Sequence, residues 1–153
     1  MCFLDQPAGV GYSYSTSSHT VGTTQEAAED FYAFMQLFLT RFPEYSSRPF
    51  HVLSESYGGQ YGPNAASYIN HQNKAHLGLI GSTHVHVNLE SLVIINGWVS
   101  PEIQGEMIPE YACRGPYAFW DNEGEHCRYL RSKVPRLYRL LQACNDLQTP
   151  FVW

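Results

Sequence analysis

The stretch HVLSESYGGQY, residues 51–61, places Ser56 between a short apolar run and two glycines. The residues before Ser54 are typical of a β-strand, and those after Tyr57 begin a helical pattern. In the G-x-S-x-G pattern, a strand turns sharply into a helix and leaves the central serine hydroxyl exposed. Ser54 and Gly58 occupy the two flanking positions, where small side chains let such a turn close. We therefore predict a strand–turn–helix elbow, residues 54–58, with Ser56 at its tip.

The segments on either side of this elbow alternate between strand and helix patterns. Residues 1–5 predict a short strand, followed by a loop rich in turn residues. Further along, residues 23–43 predict a helix, 49–54 a strand, 59–75 a helix and 89–97 a strand. The last segment is a continuous apolar run, typical of a strand covered on both faces. Strands joined by helices favour parallel pairing with right-handed crossovers, so the predicted fold class is α/β.

Both predicted helices carry signals at their ends. Thr23 followed three residues later by Glu26 fits a capping box, and Pro43 ends the first helix. Gly62 and Pro63 are expected in the first turn of the second helix. The first helix has one wide apolar stripe that predicts packing against a sheet: Phe31, Phe34, Met35, Phe38, Leu39 and Phe42.

The pattern changes after Gly97. Several prolines and a glycine interrupt it, and apolar residues then recur at helical spacing from Cys127 to Cys144, with Pro135 as an expected interruption. We predict a core over residues 1–100, with the elbow and its flanking strands. Residues 101–153 are predicted to be an incomplete helical cap, irregular segments plus helices, lying on the sheet.

Composition and charge narrow the functional classes. The chain has 153 residues, 44% hydrophobic and 15% charged, which is typical of a folded domain. A net charge of −5 gives no overall reason to expect nucleic acid or an anionic membrane as a partner. Six of the nine Lys and Arg residues lie between Arg114 and Arg139, predicted to be a solvated helix face, with a basic binding patch as the alternative. No apolar run approaches the ~18 residues of a membrane span, and the start of the chain lacks signal-peptide features.

The four cysteines leave two interpretations open. Cys2 lies in the apolar start, whereas Cys113, Cys127 and Cys144 cluster in the last third. The odd number in the cluster leaves at least one thiol without a partner there. Buried free thiols are one interpretation; disulfides formed in a secretory compartment, with partners beyond the chain end, are the other.

Beyond the serine motif, four stretches resemble the serine carboxypeptidase family in order and spacing. SESYGGQYGP (54–63) is similar to that family's G-E-S-Y-A-G-x-Y-x-P signature, and FLDQPAGVGYSYS (3–15) is similar to its strand and loop upstream. FPEY (42–45) and IINGWVSP (94–101) also follow the family's course. The resemblance covers residues 2 to about 101; the cap resembles the family only in position and cysteine content.

The resemblance implies an α/β-hydrolase fold and a serine peptidase that removes C-terminal residues from peptides and proteins, usually at acidic pH. Ser56 matches the nucleophile, and the backbone N–H of Tyr57 matches one oxyanion donor. Glu55 matches the carboxyl group that binds the substrate's terminal carboxylate. Two carboxyl groups bond closely only if one holds a proton, which explains a preference for acid. The resemblance also implies a secretory, vacuolar, lysosome-like or extracellular location. No cofactor, metal or nucleic acid is implied, and the oligomeric state stays open.

The sequence departs from the family pattern at Ser54, where the family has Gly, and at Gly58, where it usually has Ala. Ser54 places a Cβ and a hydroxyl in the turn, where they are expected to disturb the geometry of the elbow. The family's Asn-Gly-Gly-Pro-Gly segment, which supplies the second oxyanion donor, lies upstream of the match, and the triad Asp and His lie far downstream. We therefore expect an internal fragment that lacks these groups and is inactive alone.

The histidines of the chain do not predict a triad partner for Ser56. None of His51, His71, His76, His84, His86 and His126 has a spacing that predicts a triad with Ser56. His84 and His86 alternate, so they are predicted to point the same way, toward water; no third ligand at a suitable spacing predicts a metal site. Two alternatives to hydrolysis stay open, namely an acyltransferase relative of the same family and a catalytically dead truncated product.

Overall fold

The structure is a computed structural model that describes residues 1–17 and 20–147. It divides into two compact units: the amino-terminal unit, Met1–Gly97, and the carboxy-terminal unit, which begins at Trp98. A short 3-10 turn, Pro43–Tyr45, follows the first helix. In chain order the helices and strands are α1 (Thr24–Arg41), β1 (Phe50–Glu55), α2 (Gly58–Ala75), β2 (Leu89–Ile95), α3 (Pro101–Cys113) and α4 (Glu125–Leu147).

The sheet confirms the predicted parallel α/β arrangement. β1 and β2 pair in parallel, from Phe50 beside Leu89 to Glu55 beside Ile95, and α2 is the connection between them. The predicted strand over residues 1–5 is wrong, because a strand requires a hydrogen-bonded partner and no described residue pairs with this segment.

The apolar run of β2 predicted a strand covered on both faces, and this prediction is wrong. Val93, Ile94 and Ile95 are each more than a third exposed. Within the described residues the sheet has two strands, so β2 has one strand neighbour, and α2 packs against it. An apolar run indicates that a strand can be buried, but the elements packed around it decide whether it is.

α1 begins and ends where its signals predicted. The Thr23 hydroxyl accepts a hydrogen bond from the Glu26 N–H at 3.2 Å, and the Glu26 carboxylate accepts one from the Thr23 N–H at 3.0 Å. The apolar stripe faces the core only in part: Met35 and Leu39 are buried, whereas Phe42 is exposed. The buried face also includes residues absent from the predicted stripe: Ala27, Ala28 and Tyr32.

The core of the amino-terminal unit joins α1, α2 and the segment before β2. Tyr32, Met35 and Leu39 from α1 pack with Ile69 from α2 and with Val87. The Asn73 side chain fixes this segment because its amide bonds both the N–H and the carbonyl of Val87, at 3.1 and 2.8 Å. This packing holds α2 against the sheet and thereby fixes the direction in which the helix leaves β1.

Prolines interrupt the helices less than the sequence predicted. α2 begins at Gly58, so Pro63 is its sixth residue and lies beyond the first turn where it was expected. α3 contains Pro109, and α4 continues through Pro135. Each proline lacks one N–H donor, but one missing bond within a helix of 13 to 23 residues does not end it when the helix packs elsewhere.

The carboxy-terminal unit is a pair of helices joined by a disulfide. Cys113 at the end of α3 bonds Cys127 in the first turn of α4, and both side chains are buried. Cys144 is exposed and free, as is Cys2. The cluster of three cysteines therefore contains one disulfide, formed within the chain, and one free thiol.

Candidate functional site

Ser56 lies at the tip of a sharp turn between β1 and α2. It has a φ of 58°, the left-handed region that costs a residue with a Cβ about 1–2 kcal/mol. Its N–H donates to the Ile95 carbonyl at 3.1 Å, and its carbonyl accepts from the Gly59 N–H at 3.0 Å. Both backbone groups of the strained residue are therefore held, one by β2 and one by the first turn of α2. The predicted strand–turn–helix elbow is confirmed as a structure.

Asn96 is a second residue in the same conformation, and no functional role was predicted for it. Within the described residues, Ser56 and Asn96 are the two non-glycine residues with positive φ, and the φ of Asn96 is 46°. Each directly follows the carboxyl end of a strand, and the two strands are neighbours. Strained backbone clusters at functional sites, and the Asn-Gly pair after an apolar strand is the sequence signal that predicts it.

Ser54 is accommodated by glycines of α2. A Cβ placed on Gly58 would lie 2.7 Å from the Ser54 Cβ, and one on Gly62 would lie 3.0 Å from that atom and from Leu92 Cδ1. The 2.7 Å distance is shorter than real Cβ contacts, and 3.0 Å would force the neighbouring atoms to shift, so Ser54 fits because both positions of the facing helix are glycine. The two departures from the family pattern are therefore connected, because the serine side chain at position 54 occupies the space that a side chain at position 58 would need.

The backbone N–H of Tyr57 lies at the N-terminus of α2. Tyr57 is the N-cap residue of that helix, and the first N–H groups of a helix have no intrahelical acceptor. The helix dipole adds partial positive charge at the same point, which favours an anion there. The Tyr57 ring is half exposed and packs edge-on against Tyr61, one helical turn away.

Glu55 and Ser54 project from opposite faces of β1. Exposure alternates along the strand, and Glu55 shares the exposed face with His51 and Leu53. In the described part of the chain, the Glu55 carboxylate makes no hydrogen bond or ion pair with another residue. It is therefore available, one residue before Ser56, to bind a group supplied from outside.

Several histidines contact groups other than Ser56. His51 Nδ1 lies 2.8 Å from the Ser91 hydroxyl, and the His126 ring contacts Trp120. Within the described residues, the Ser56 hydroxyl makes no hydrogen bond with a histidine or any other side chain. A base within hydrogen-bond reach is what activates a serine, and the described residues do not supply one.

The alternation of His84 and His86 predicted that both side chains point toward water. For His84 this is only partly correct. Both are exposed, but the His84 ring stacks on His76 at 3.6 Å between centroids, and its Nδ1 lies 3.3 Å from the Tyr32 hydroxyl. Burial, and then the neighbouring Tyr68, raises the pKa of Tyr32. Among the described residues, no group of three or more His, Cys, Asp and Glu side chains is placed to hold a metal ion.

Neither of two cavities formed by described residues borders Ser56. One, of about 380 Å³, lies between α1 and the loop that follows Leu4, and the other, of about 250 Å³, lies beside His76 and His84. Ser56 itself is exposed. No helix among the described residues is both long and apolar enough to cross a bilayer.

Comparison with known proteins gives a consistent result. The family model described as serine carboxypeptidase, peptidase family S10, matches residues 1–149. A carboxypeptidase Y homolog A from Paracoccidioides lutzii is 38% identical over 97% of this chain and 25% of its own length. Carboxypeptidase Y from Candida albicans is 39% identical over 94% of this chain and 24% of its own length.

A solved structure agrees with these relatives. A prohormone-processing carboxypeptidase from Saccharomyces cerevisiae has a TM-score of 0.70 and 26% identity, over 97% of this chain and 30% of that one. The chain thus spans about a quarter of the length of the curated relatives it matches.

Proposed function

Because the chain belongs to the serine carboxypeptidase family, we propose that Ser56 is the nucleophile of a longer enzyme that removes C-terminal residues from peptides and proteins. The conformation of Ser56 carries this proposal. Its strained backbone is held by Ile95 and Gly59, which leaves the hydroxyl exposed beside a helix N-terminus. The named relatives are carboxypeptidases, which supports the reaction class.

The proposed reaction proceeds through an acyl-enzyme. The Ser56 oxygen attacks the carbonyl carbon of the last peptide bond while a general base takes the hydroxyl proton. The Tyr57 N–H donates to the oxyanion that forms, and the helix dipole of α2 stabilises the same charge. The carbon–nitrogen bond then breaks, and the base returns its proton to the leaving amine. Water attacks the resulting ester, releases the shortened peptide and restores Ser56.

Glu55 is proposed to bind the terminal carboxylate of the substrate. It lies beside Ser56, is exposed and has no partner among the described residues. A carboxyl group can donate to a carboxylate only while it holds a proton; when that proton is lost, two negative charges face each other. Substrate binding should therefore weaken as pH rises, which makes the enzyme an acid-preferring one.

The remaining groups are proposed to come from the longer protein. The described residues place no histidine on the Ser56 hydroxyl, so the base, its orienting acid and the second oxyanion donor are assigned to other segments. Residues 101–153 are proposed to be part of a cap domain over a core formed by residues 1–100. The Cys113–Cys127 disulfide supports a secretory, vacuolar or extracellular location, where disulfides persist.

The test uses the full-length protein and blocked dipeptides with a free terminal carboxylate. Ser56→Ala should lower kcat/KM by about a thousandfold or more while leaving the fold intact. Glu55→Gln should remove the rise of KM with pH, because an amide donates a hydrogen bond at every pH. Unchanged activity of Ser56→Ala would overturn the assignment of the nucleophile, and an unchanged pH profile of KM in Glu55→Gln would overturn the role of Glu55.

Two further measurements separate the proposed reaction from its alternatives. Acyl esters and acceptor alcohols, offered beside the blocked dipeptides, distinguish hydrolysis from acyl transfer. Acyl transfer without peptide cleavage would contradict a carboxypeptidase. The separate chain of residues 1–153 should not react with a fluorophosphonate, since Ser56 lacks an activating base there; rapid stoichiometric labelling of Ser56 would show that the described residues suffice.

A further inference from the structure

The peptide group between Ile95 and Asn96 connects the two strained positions of the site. Its carbonyl accepts the hydrogen bond that the Ser56 N–H donates, at 3.1 Å. The same rigid plane carries the N–H of Asn96, because a peptide group does not rotate freely about its C–N bond. The orientation of this plane is therefore tied to the φ of Asn96, which is 46°. The conformation of Asn96 and the hydrogen bond to Ser56 depend on each other.

The positive φ of Asn96 turns the chain at the end of β2. Glu55 and Ile95 are register partners. Ser56 and Asn96 follow them directly, on neighbouring strands about 4.8 Å apart. In an extended conformation Asn96 would continue β2 past the elbow, whereas the left-handed conformation diverts the chain at that point. Asparagine adopts the left-handed region more readily than most residues that carry a Cβ, so the residue type suits this turn.

The side chain of Asn96 makes no hydrogen bond within the part of the chain that the structure describes. The residue is exposed, and its amide contacts no other described polar group. An asparagine that stabilises a turn through its side chain bonds a nearby backbone group, and the described residues show no such bond. The contribution of Asn96 to the described structure is therefore the backbone conformation that asparagine tolerates.

We propose that Asn96 is a positioning residue for Ser56, acting through the Ile95 carbonyl and not through its own side chain. This role rests on the proposed function of the elbow. A residue that resists positive φ would rotate the peptide plane between positions 95 and 96 and turn the carbonyl away from the Ser56 N–H. Hydrogen bonds weaken steeply when the donor angle falls below about 120°. One of the two backbone bonds that hold Ser56 in its left-handed conformation would then be lost.

Loss of that bond would affect the chemical step more than substrate binding. Ser56 would move toward an extended conformation, which displaces its hydroxyl and rotates the peptide plane that carries the Tyr57 N–H, the proposed oxyanion donor. Displacement of a reacting group by about 1 Å can lower a rate about a hundredfold. Glu55, the proposed contact for the terminal carboxylate of the substrate, belongs to β1, which stays paired with β2. The expected result is a lower kcat with little change in KM.

The experiment measures kcat and KM of full-length variants with the blocked dipeptides, well below their unfolding temperatures. Asn96→Gly should keep at least about a third of the wild-type kcat, because glycine adopts positive φ without strain. Asn96→Ala should lower kcat about fivefold, and Asn96→Val about thirtyfold or more, since a β-branched residue tolerates the left-handed region least. KM should stay within about twofold of the wild-type value in all three variants.

Gly78→Val is the matched control, because it strains a left-handed backbone of the same unit far from the elbow. Gly78 has a φ of 76°, and apart from its chain neighbours no described atom lies within 4 Å of the position that a Cβ would take. Ser56 and Gly78 lie just beyond opposite ends of α2, whose 18 residues span about 27 Å. The control should lower the unfolding temperature much as Asn96→Val does and leave kcat unchanged.

Amide hydrogen exchange, followed by mass spectrometry with residue resolution, measures the hydrogen bond itself. The Ser56 N–H should exchange about tenfold or more faster in Asn96→Val than in the wild-type protein, because its acceptor has turned away. It should exchange at the wild-type rate in Gly78→Val and close to that rate in Asn96→Gly. A residue with a merely structural role would change the unfolding temperature without changing kcat or this exchange rate selectively.

The outcomes distinguish failure of this role from failure of the proposed function. Full activity of Ser56→Ala would overturn the proposed function, and the role of Asn96 with it. Where Ser56→Ala is inactive, three results overturn the role of Asn96 alone. A kcat of Asn96→Gly as low as that of Asn96→Val would show that the amide side chain itself is required. An unchanged kcat in Asn96→Val would show that the elbow holds without this turn, and an equal loss in Gly78→Val would show that strain anywhere in the unit lowers activity.

Discussion

The two units of this chain are stabilised by different forces. In the amino-terminal unit, buried side chains from two helices pack with Val87, and a parallel strand pair holds the elbow through backbone hydrogen bonds. In the carboxy-terminal unit, the buried cluster is small, and a disulfide joins its two helices. Gly105 lets α3 approach α4 closely, since a Cβ there would lie 2.6 Å from Leu137 Cδ2.

The ion pairs of the carboxy-terminal unit add little to its stability. Glu110 accepts from Arg114 at 2.9 Å and from Arg131 at 3.4 Å, but these side chains are about a third to two thirds exposed. Exposed ion pairs contribute about 0–1 kcal/mol each. The basic residues between Arg114 and Arg139 thus include side chains that pair within their own unit. Noncovalent packing therefore maintains the geometry of the elbow, whereas the stability of the carboxy-terminal unit depends on the disulfide between Cys113 and Cys127.

The largest effect is expected from opening the apolar core of the amino-terminal unit. Ile69 is fully buried between Tyr32, Met35 and Val87, so Ile69→Ala should lower the free energy of unfolding by about 2–5 kcal/mol. Hydrogen exchange followed by mass spectrometry should show faster exchange in α1 and α2 and little change in α3 and α4.

Leu37→Ala is the matched control, because that side chain is exposed on α1 and its loss should have almost no effect. Equal acceleration of exchange in all four helices of the Ile69 variant would show that the two units unfold together and are not stabilised separately.

The next effect comes from breaking the disulfide of the carboxy-terminal unit. Cys113→Ser/Cys127→Ser opens a loop with a sequence separation of 14 and should cost that unit about 3 kcal/mol. Exchange should accelerate in α3 and α4 only, and Cys144→Ser, which removes an exposed free thiol, should change nothing. Faster exchange in α2 of the double variant would contradict the assignment of different forces to the two units.

A smaller effect tests how the elbow tolerates Ser54. Gly58→Ala should destabilise the amino-terminal unit by about 1–3 kcal/mol, because its Cβ would lie 2.7 Å from the Ser54 Cβ. Ser54→Gly removes that contact, so the double variant should recover most of the loss, and a double-mutant cycle from denaturant unfolding measures the coupling. Additive losses in the double variant would show that Ser54 and Gly58 do not share one packing arrangement.

The smallest expected effect is a change in the pKa of a tyrosine, and each unit contains one tyrosine whose pKa is raised. Burial raises the pKa of Tyr32, whereas the hydrogen bond that Tyr138 donates to Glu106 raises the pKa of Tyr138. A raised pKa means that the folded state holds the proton more strongly. The stabilisation relative to the ionised form is therefore complete below about pH 10 and falls as pH rises above it.

NMR titration of ring-labelled tyrosine measures both groups at once. Glu106→Gln should bring the pKa of Tyr138 toward its ordinary value, since the charge that opposes ionisation is gone, and leave that of Tyr32 unchanged. A shift in the pKa of Tyr32 in the same variant would indicate electrostatic coupling between the two units.

The elements with strong local signals could be predicted from the sequence. The capping box at Thr23, the elbow at Ser56 and the order of helix and strand follow from residue patterns that act within a few positions. The strand over residues 1–5 and the coverage of β2 could not be predicted, because both depend on which elements lie alongside. α3 was missed as a distinct helix because Pro109 interrupts a pattern that tertiary packing restores.

The sequence by itself determined the family, the parallel α/β order and the position of the serine, because these follow from local patterns and ordered motifs. Only the tertiary structure decided that Asn96 adopts the same strained conformation as Ser56 at the end of the neighbouring strand. It also decided that Gly58 and Gly62 make room for Ser54, and that Cys127 pairs with Cys113. Each of these depends on the approach of atoms from separate elements, a distance that no local pattern of residues contains.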